Sequence, residues 1–334
     1  MRKSTSLSKY ISKYFESYIE DENITEICYN GDGLIWTLDS SARWKAHETP
    51  LNFHGASAFS QALAALQNTE ADKNKPILSA TLPDGQRVQI VLPSATKEQH
   101  ISITIRKPSN RRFTLEDYEK SGIFNEIGER EASVSSEEKH LRALYYDGNY
   151  KEFMIHAVKA GKTIIISGET GSGKTTFMKS LIDFIPHDQR IITIEDVEEI
   201  RFYEHKNYVQ LFYPSEAKEG DPITSAALLK SCLRMKPDRI LLAELRGGET
   251  YDFINVINSG HSGSITSCHA GSVKETFTRL ALMTLQNANG QKIPHETISQ
   301  ILHDMIDVVV HMHEQDGKRH ITDIYYKGAK DETK

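Results

Sequence analysis

Eight residues, Gly168-Glu169-Thr170-Gly171-Ser172-Gly173-Lys174-Thr175, constrain this chain more than any other stretch. They follow the apolar run Thr163-Ile-Ile-Ile-Ser167 and precede a helical pattern from Thr175 to Phe184, so G-x-x-x-x-G-K-[ST] stands in its strand–turn–helix setting. Glycines at 168, 171 and 173 let the backbone turn tightly and aim successive N–H groups at phosphate oxygens, beside the positive end of the next helix. Lys174 is placed to neutralise β- and γ-phosphates, and Thr175 to offer a hydroxyl to Mg²⁺. The motif therefore calls for a strand ending near residue 168 in a mostly parallel sheet. By itself it implies nucleotide binding; hydrolysis needs acidic groups on the same rim.

After Lys151 strands alternate with helices, the grammar of a parallel sheet covered on both faces. Candidate strands are Thr163 to Ser167, Arg190 to Ile194, Tyr208 to Leu211, Arg239 to Ala243, Ser264 to Ser267 and Asp307 to His311. Helical patterns run over Thr175 to Phe184, Thr224 to Met235, Thr250 to Asn258 and Val273 to Leu285. Residues 151–334 thus form an α/β carboxy-terminal domain. From Ile24 to Pro108 the signals are those of a sheet interrupted by one helix, roughly Ala56 to Gln67, which gives a smaller α+β domain over 1–108. A polar stretch, 109–150, with short helical patterns at Leu115 to Ser121 and Glu137 to Tyr146, reads as the linker. Leu7, Tyr10, Ile11, Tyr14, Phe15, Tyr18 and Ile19 recur at helical steps, predicting an amphipathic helix over 6–20. Its apolar stripe packs on the first domain or a neighbouring subunit, or lies on a membrane surface.

Two strands end in carboxylates. Ile240-Leu-Leu-Ala-Glu244 brings Glu244 to the rim that carries the phosphate loop, where it can polarise an attacking water. Ala243 stands where such an element usually carries Asp, so another group must help hold the metal; Ile194-Glu195-Asp196, at the end of the next strand after the phosphate-loop helix, can supply it, with Glu195 the expected ligand. Glu198 and Glu199 read as surface or subunit contacts. His269, at the end of the strand in Gly260-His-Ser-Gly-Ser-Ile-Thr-Ser-Cys-His-Ala-Gly271, is placed to sense a γ-phosphate, whereas His261 lies at the other end. His311 and His313 read as structural or surface residues. Arginines stabilise transition-state charge in many nucleotide hydrolases; the candidates are Arg87, Arg106 and Arg246.

The remaining composition excludes more than it assigns. Lys plus Arg is 40 and Asp plus Glu is 46, a net charge of −6, which argues against nucleic acid as a direct ligand. Cys28, Cys232 and Cys268 stand singly, without the spacing of a zinc module or a disulfide framework. No apolar run approaches the roughly 18–20 residues of a spanning helix, and the start shows no signal-peptide pattern, so a cytoplasmic protein is expected.

Four blocks stand in order: GETGSGKTT at 168–176, TIEDVEE at 193–199, RMKPDRILLAELRG at 234–247 and SGHSGSITSCHAG at 259–271. Together they resemble the Walker A, Asp-box, atypical Walker B and His-box elements of the secretion ATPase superfamily, whose Walker B usually has Glu without a preceding Asp. Within it the chain most resembles the VirB11-type ATPases of bacterial type IV secretion systems, strongly over about 150–315 and more weakly through GQRVQIVLP and SITIRKPS. Type II secretion and pilus-assembly relatives are generally longer and often carry a four-cysteine insert that three isolated cysteines exclude. The resemblance implies a RecA-like P-loop domain, ATP and Mg²⁺ as cofactors, ATP lying between the two domains, and a homo-hexameric ring. It also implies docking on other secretion components, peripheral to the inner membrane. Arg87 and Arg106 match family arginines near the nucleotide. An ATP-driven secretion motor is the leading expectation; a type II or pilus-type motor, a nucleic-acid translocase and a nucleotide-gated scaffold are the competitors.

Overall fold

The computed structural model describes residues 5–108, 113–125, 127, 135–218 and 220–329. Its first part runs α1 (Thr5–Tyr14), α2 (Glu16–Glu20), β1 (Ile24–Tyr29), β2 (Leu34–Asp39), β3 (Trp44–Glu48), α3 (Phe53–Leu66), β4 (Ile77–Thr81), β5 (Arg87–Val91) and β6 (Ser102–Arg106). The strands form one antiparallel sheet in the order β3-β2-β1-β6-β5-β4. Strand alternation gives it two unlike faces. Ile27, Tyr29, Val88, Ile90, Ile103 and Ile105 bury against Phe59 and Leu63 of α3 and against Leu7 of α1. Asn52 starts α3 by accepting the Gly55 N–H at 3.0 Å, which satisfies one of the helix's free donors.

The single helix expected over 6–20 is instead two, parted at Phe15, whose φ of −128° interrupts the helical path. That break turns the Phe15 ring onto Phe59, with ring centroids 5.1 Å apart, so the apolar stripe of the amino terminus covers its own domain's core. The short, half-exposed strands β3 and β4 were not legible in the sequence.

The second part runs α4 (Leu115–Lys120), α5 (Ser136–Tyr146), α6 (Tyr150–Lys159), β7 (Ile164–Gly168), α7 (Lys174–Ile182), β8 (Ile191–Glu195), β9 (Tyr208–Phe212), α8 (Ser225–Cys232), β10 (Arg239–Leu245), α9 (Glu249–Asn258), β11 (Ile265–Cys268), α10 (Val273–Thr284), α11 (His295–Met305), β12 (Val308–Gln315) and β13 (Lys318–Tyr326). The sheet order is β13-β12-β7-β11-β10-β8-β9, parallel throughout except for β13, which returns antiparallel on β12. Every residue of β7, β8 and β11 is buried, as a strand covered on both faces requires. One face is packed by Leu228, Phe253, Phe277 and Ile298 of α8 to α11. The other is packed by Leu141, Phe153 and Met178 of α5 to α7. Part of the expected linker, 109–112, 126 and 128–134, lies outside the described residues. The rest of it includes α5, which Leu141 ties into the second sheet's core.

The two parts meet through polar groups. The second face of the first sheet carries Glu26, Cys28, Asn30, Gln89, Ser102 and Thr104, all buried. Arg190, fully buried, donates to Asn30 Oδ1 at 2.8 Å, Asn207 Oδ1 at 2.7 Å and Met235 O at 3.0 Å. Trp44 Nε1 donates to Asp238 Oδ2 at 2.8 Å, Gln89 Nε2 to Ser231 Oγ at 2.9 Å, and Phe212 N to Ala95 O at 2.9 Å. The first domain thereby sits against the β9 edge and the rim where the parallel strands begin.

Burial in this contact raises the Glu26 carboxyl to about 7, against the pull of Arg106, whose Nε is 3.4 Å from Oε1, and of Lys236 and Arg190. A carboxyl whose folded pKa lies above its unfolded value favours the folded form while protonated. That contribution is complete below about pH 4.5 and is lost as pH rises through about 7. Glu26→Gln is therefore expected to raise the thermal midpoint at pH 8 and leave it unchanged at pH 4, read by melting both proteins at the two pH values.

Candidate active site

The carboxyl ends of β7, β8, β10 and β11 share one rim, where ligands of open parallel sheets bind. Gly168 (φ +152°) opens the loop, Gly171 (+85°) bends it, and Gly173 (+89°) caps α7 in the left-handed region. A Cβ on Gly168 would meet Met312 O of β12 at 2.2 Å, so the residue is glycine for conformation and space alike. Ser172 Oγ closes the loop on Glu169 O at 2.8 Å, leaving Glu169, Thr170 and Gly171 exposed at its tip. Gly168→Ala is expected to abolish nucleotide binding and to lower the melting temperature, both measurable on the purified chain.

Lys174 starts α7, and its ammonium rests on Gly168 O at 2.9 Å and Glu169 O at 2.8 Å, 3.3 Å from His269 Nδ1. Burial lowers its pKa, with Glu244 opposing. Glu244 lies at the end of β10 between two bases: His269 Nε2 is 2.7 Å from Oε1, a close contact off the line of an ideal hydrogen bond, and Arg246 Nε donates to Oε2 at 2.7 Å. His269 Nδ1 can accept from the Lys174 ammonium while Nε2 faces Glu244. Arg246 Nη1 donates to Asp196 Oδ2 at 2.7 Å, and Ser215 Oγ donates to the same oxygen at 3.1 Å. Burial works to raise Asp196, but the hydrogen bond and charge of Arg246 outweigh it, and its pKa is lowered. The polar chain Ser215–Asp196–Arg246–Glu244–His269–Lys174 thus crosses the rim of a pocket of about 280 Å³, which Thr175 and Thr176 also line.

Glu195 is corrected by this geometry. Its side chain is fully buried, with Oε1 accepting from Thr193 Oγ1 at 2.6 Å and Oε2 accepting the Glu199 and Ile200 N–H groups at 2.8 Å each. It ties down the loop after β8, and the next residue, Asp196, turns into the pocket. Arg87 and Arg106 are also absent from the pocket, and among the described residues no first-domain side chain lines it. Within this one chain the first domain occupies the opposite rim and the β9 edge. Arg87 and Arg106 pair in register on β5 and β6 and line a separate cavity of about 1430 Å³ with Lys107, Lys236 and the carboxylates Glu20, Glu22 and Glu26. His261 likewise lies at the far rim, in a cavity with Arg239 and Lys236. His311 is buried, 2.7 Å from Thr322 Oγ1, and Glu198 and Glu199 pair with Lys97 and Lys179. Sequence reasoning named the segment Ile194-Glu195-Asp196 but settled on Glu195 rather than Asp196, and it missed Arg319 of β13, which also lines the pocket.

For Mg²⁺, the donors present are the Thr175 hydroxyl, which makes no hydrogen bond among the described residues, and the Asp196 and Glu244 carboxylates. No cluster of three or more metal-ligating side chains exists among the described residues. Such a sparse oxygen set fits an ion that takes most of its ligands from water and phosphate.

Comparison with known proteins places this geometry in a family. The model for "Type II/IV secretion system protein" matches residues 54–315. The type IV secretion system protein VirB11 of Brucella abortus is 51% identical over 315 residues, covering 92% of this chain and 87% of that protein. The chain belongs to the VirB11 family of secretion ATPases. It is also similar to the type IV secretion system protein PtlH homolog of Bordetella bronchiseptica, 37% identical over 93% of this chain and 92% of that one. The crystal structure of the Brucella suis VirB11 ATPase in complex with sulphate superposes with a TM-score of 0.90 at 46% identity, covering 97% of this chain and 95% of that one. The fold is accordingly that of the VirB11 family, with an amino-terminal domain and a carboxy-terminal RecA-like domain. Among the described residues no helix is long and apolar enough to cross a membrane.

Proposed function

We propose that this chain hydrolyses ATP with Mg²⁺ in a homo-hexameric ring, peripheral to the bacterial inner membrane on its cytoplasmic side. The ring powers assembly of, or transport through, a type IV secretion system by acting on other components of that system. The observation that carries the reading is Glu244, held between Arg246 and His269 and facing the Lys174 loop across one pocket.

In-line attack of water on the γ-phosphate needs a group to orient the water, positive charge to take up what develops on the phosphoryl oxygens, and a fixed geometry. Glu244 orients the water, Lys174 supplies charge, and the N–H groups of Gly171 to Thr176 cradle the phosphates. Thr175 and Asp196 would hold Mg²⁺, which would supply positive charge to the phosphates. His269 links Lys174 to Glu244 and so responds to the presence of a γ-phosphate. Arg246, committed to Glu244 and Asp196, positions both carboxylates.

Arg87 and Arg106 support the ring. They are exposed arginines side by side on adjacent strands, an arrangement that repels unless an anion sits between or beside them. Glu26 partly balances Arg106 alone. Glu20 and Glu22 line the same cavity, and in the proposed ring a neighbouring chain's nucleotide adds the anion that faces both arginines. The test is ATPase rate per chain against protein concentration, with and without single-stranded DNA. A rate that climbs as chains assemble and ignores DNA supports the ring motor. A rate that stays flat while sedimentation shows monomers becoming oligomers overturns the ring, and strong DNA stimulation makes the chain a nucleic-acid translocase.

A further inference from the structure

We propose that Arg319, on the β12–β13 hairpin, is a phosphate-binding residue of the same chain's nucleotide site. This rests on the loop at 168–175 being that site.

The hairpin is built to deliver it. In an antiparallel pair, opposed residues share a face, so Val308 with Tyr326 and Val310 with Ile324 bury together on the side of α7. Simple alternation would then send Ile321, Arg319 and every other odd residue of β13 to the opposite face, where Tyr325 packs. A bulge intervenes: His311 pairs with Asp323 but Met312 pairs with Ile321, leaving Thr322 as the extra residue, its hydroxyl 2.7 Å from His311 Nδ1. Met312 faces α7, so Ile321 and Arg319 beyond the bulge face α7 as well. The extra residue re-aims the side chain.

Arg319 then lies over the loop itself. A Cβ built on Gly173 would meet Arg319 Cδ at 2.8 Å and Nε at 3.1 Å, and the side chain lines the pocket with Lys174, Thr175 and His269. Among the described residues it makes no hydrogen bond and no ion pair, although Glu314 stands opposite it in the hairpin. The unpaired guanidinium lies at the positive end of α7 and shares the pocket with the Lys174 ammonium, and both repel it. A nucleotide phosphate relieves that repulsion, and a guanidinium fork matches phosphate oxygens bidentately. In the sheet order β13 lies on the other side of β7 from β10 and β8, so Arg319 reaches the loop from the side away from Asp196 and Arg246.

The test compares wild type, Arg319→Ala, Arg319→Lys and Lys174→Ala by calorimetric titration with ADP and, separately, with pyrophosphate. Arg319 is exposed, and matching thermal melts will verify that its variants fold. Loss of a charge-assisted contact predicts about tenfold weaker binding of both ligands by Arg319→Ala, with Arg319→Lys in between. In turnover the Ala variant shows a raised KM for ATP and a kcat close to wild type. If wild type binds ADP and Arg319→Ala binds it equally well, the proposal is overturned, as it is by weakening with ADP alone, which would put the guanidinium on the base or sugar. Failure of wild type to bind either ligand overturns the reading of the loop instead.

Discussion

Replacing Glu244 by Gln leaves ATP bound and slows phosphate release by a factor on the order of 10²–10⁴. The substitution keeps the side chain's shape, so β10 and the rim retain their packing. It removes the carboxylate that both neighbours are arranged around, with Arg246 Nε at 2.7 Å from one oxygen and His269 Nε2 at 2.7 Å from the other. The amide can satisfy at most one of these donors as acceptor and offers an N–H to the other, so the water loses its orienting group. The check is a pair of measurements on one preparation: equilibrium ATP affinity, expected within a few-fold of wild type, and steady-state phosphate release, expected to collapse.

Lys174→Ala fails earlier in the cycle. Its ammonium rests on the Gly168 and Glu169 carbonyls, at the mouth of the loop whose N–H groups cradle the phosphates. In the proposed cycle, nucleotide binding draws it onto the β- and γ-oxygens. Without it the affinity for ATP drops by a factor on the order of 10², as loss of a buried charge-assisted contact implies, and hydrolysis disappears with it. The contrast separates the roles: Glu244→Gln binds without turning over, and Lys174→Ala does neither. Melting temperatures of both variants should stay near wild type, since neither side chain fills the apolar core.

The phosphate loop was legible because everything it does is local: three glycines, a lysine and a threonine within eight residues, between a strand and a helix. Glu244 was legible because a strand's carboxyl end in a parallel sheet defines its place. The choice between Glu195 and Asp196 was not. Two adjacent acids at a strand end point to opposite sides, and only the loop that follows, with the Glu199 and Ile200 N–H groups aimed at Glu195, decides which one is consumed by the fold. Arg319 was invisible for a related reason. The first half of β13 is polar and exposed, so it carries no strand pattern, and the bulge at Thr322 breaks the alternation that would have predicted its face. Helices α6 and α11 were also unread, although Phe153 and Ile298 show their apolar stripes once the cores are known. Arg87 and Arg106 are the residues whose placement sequence could least supply, because a single chain leaves them away from the pocket.

The most direct test of the hydrolytic site is phosphate release from ATP by the purified chain, measured with Mg²⁺ and with EDTA, for wild type and Glu244→Gln together. The pocket's geometry predicts release by wild type that requires Mg²⁺ and is lost in the variant. Release by Glu244→Gln at the wild-type rate, from proteins that both bind ATP, would contradict it.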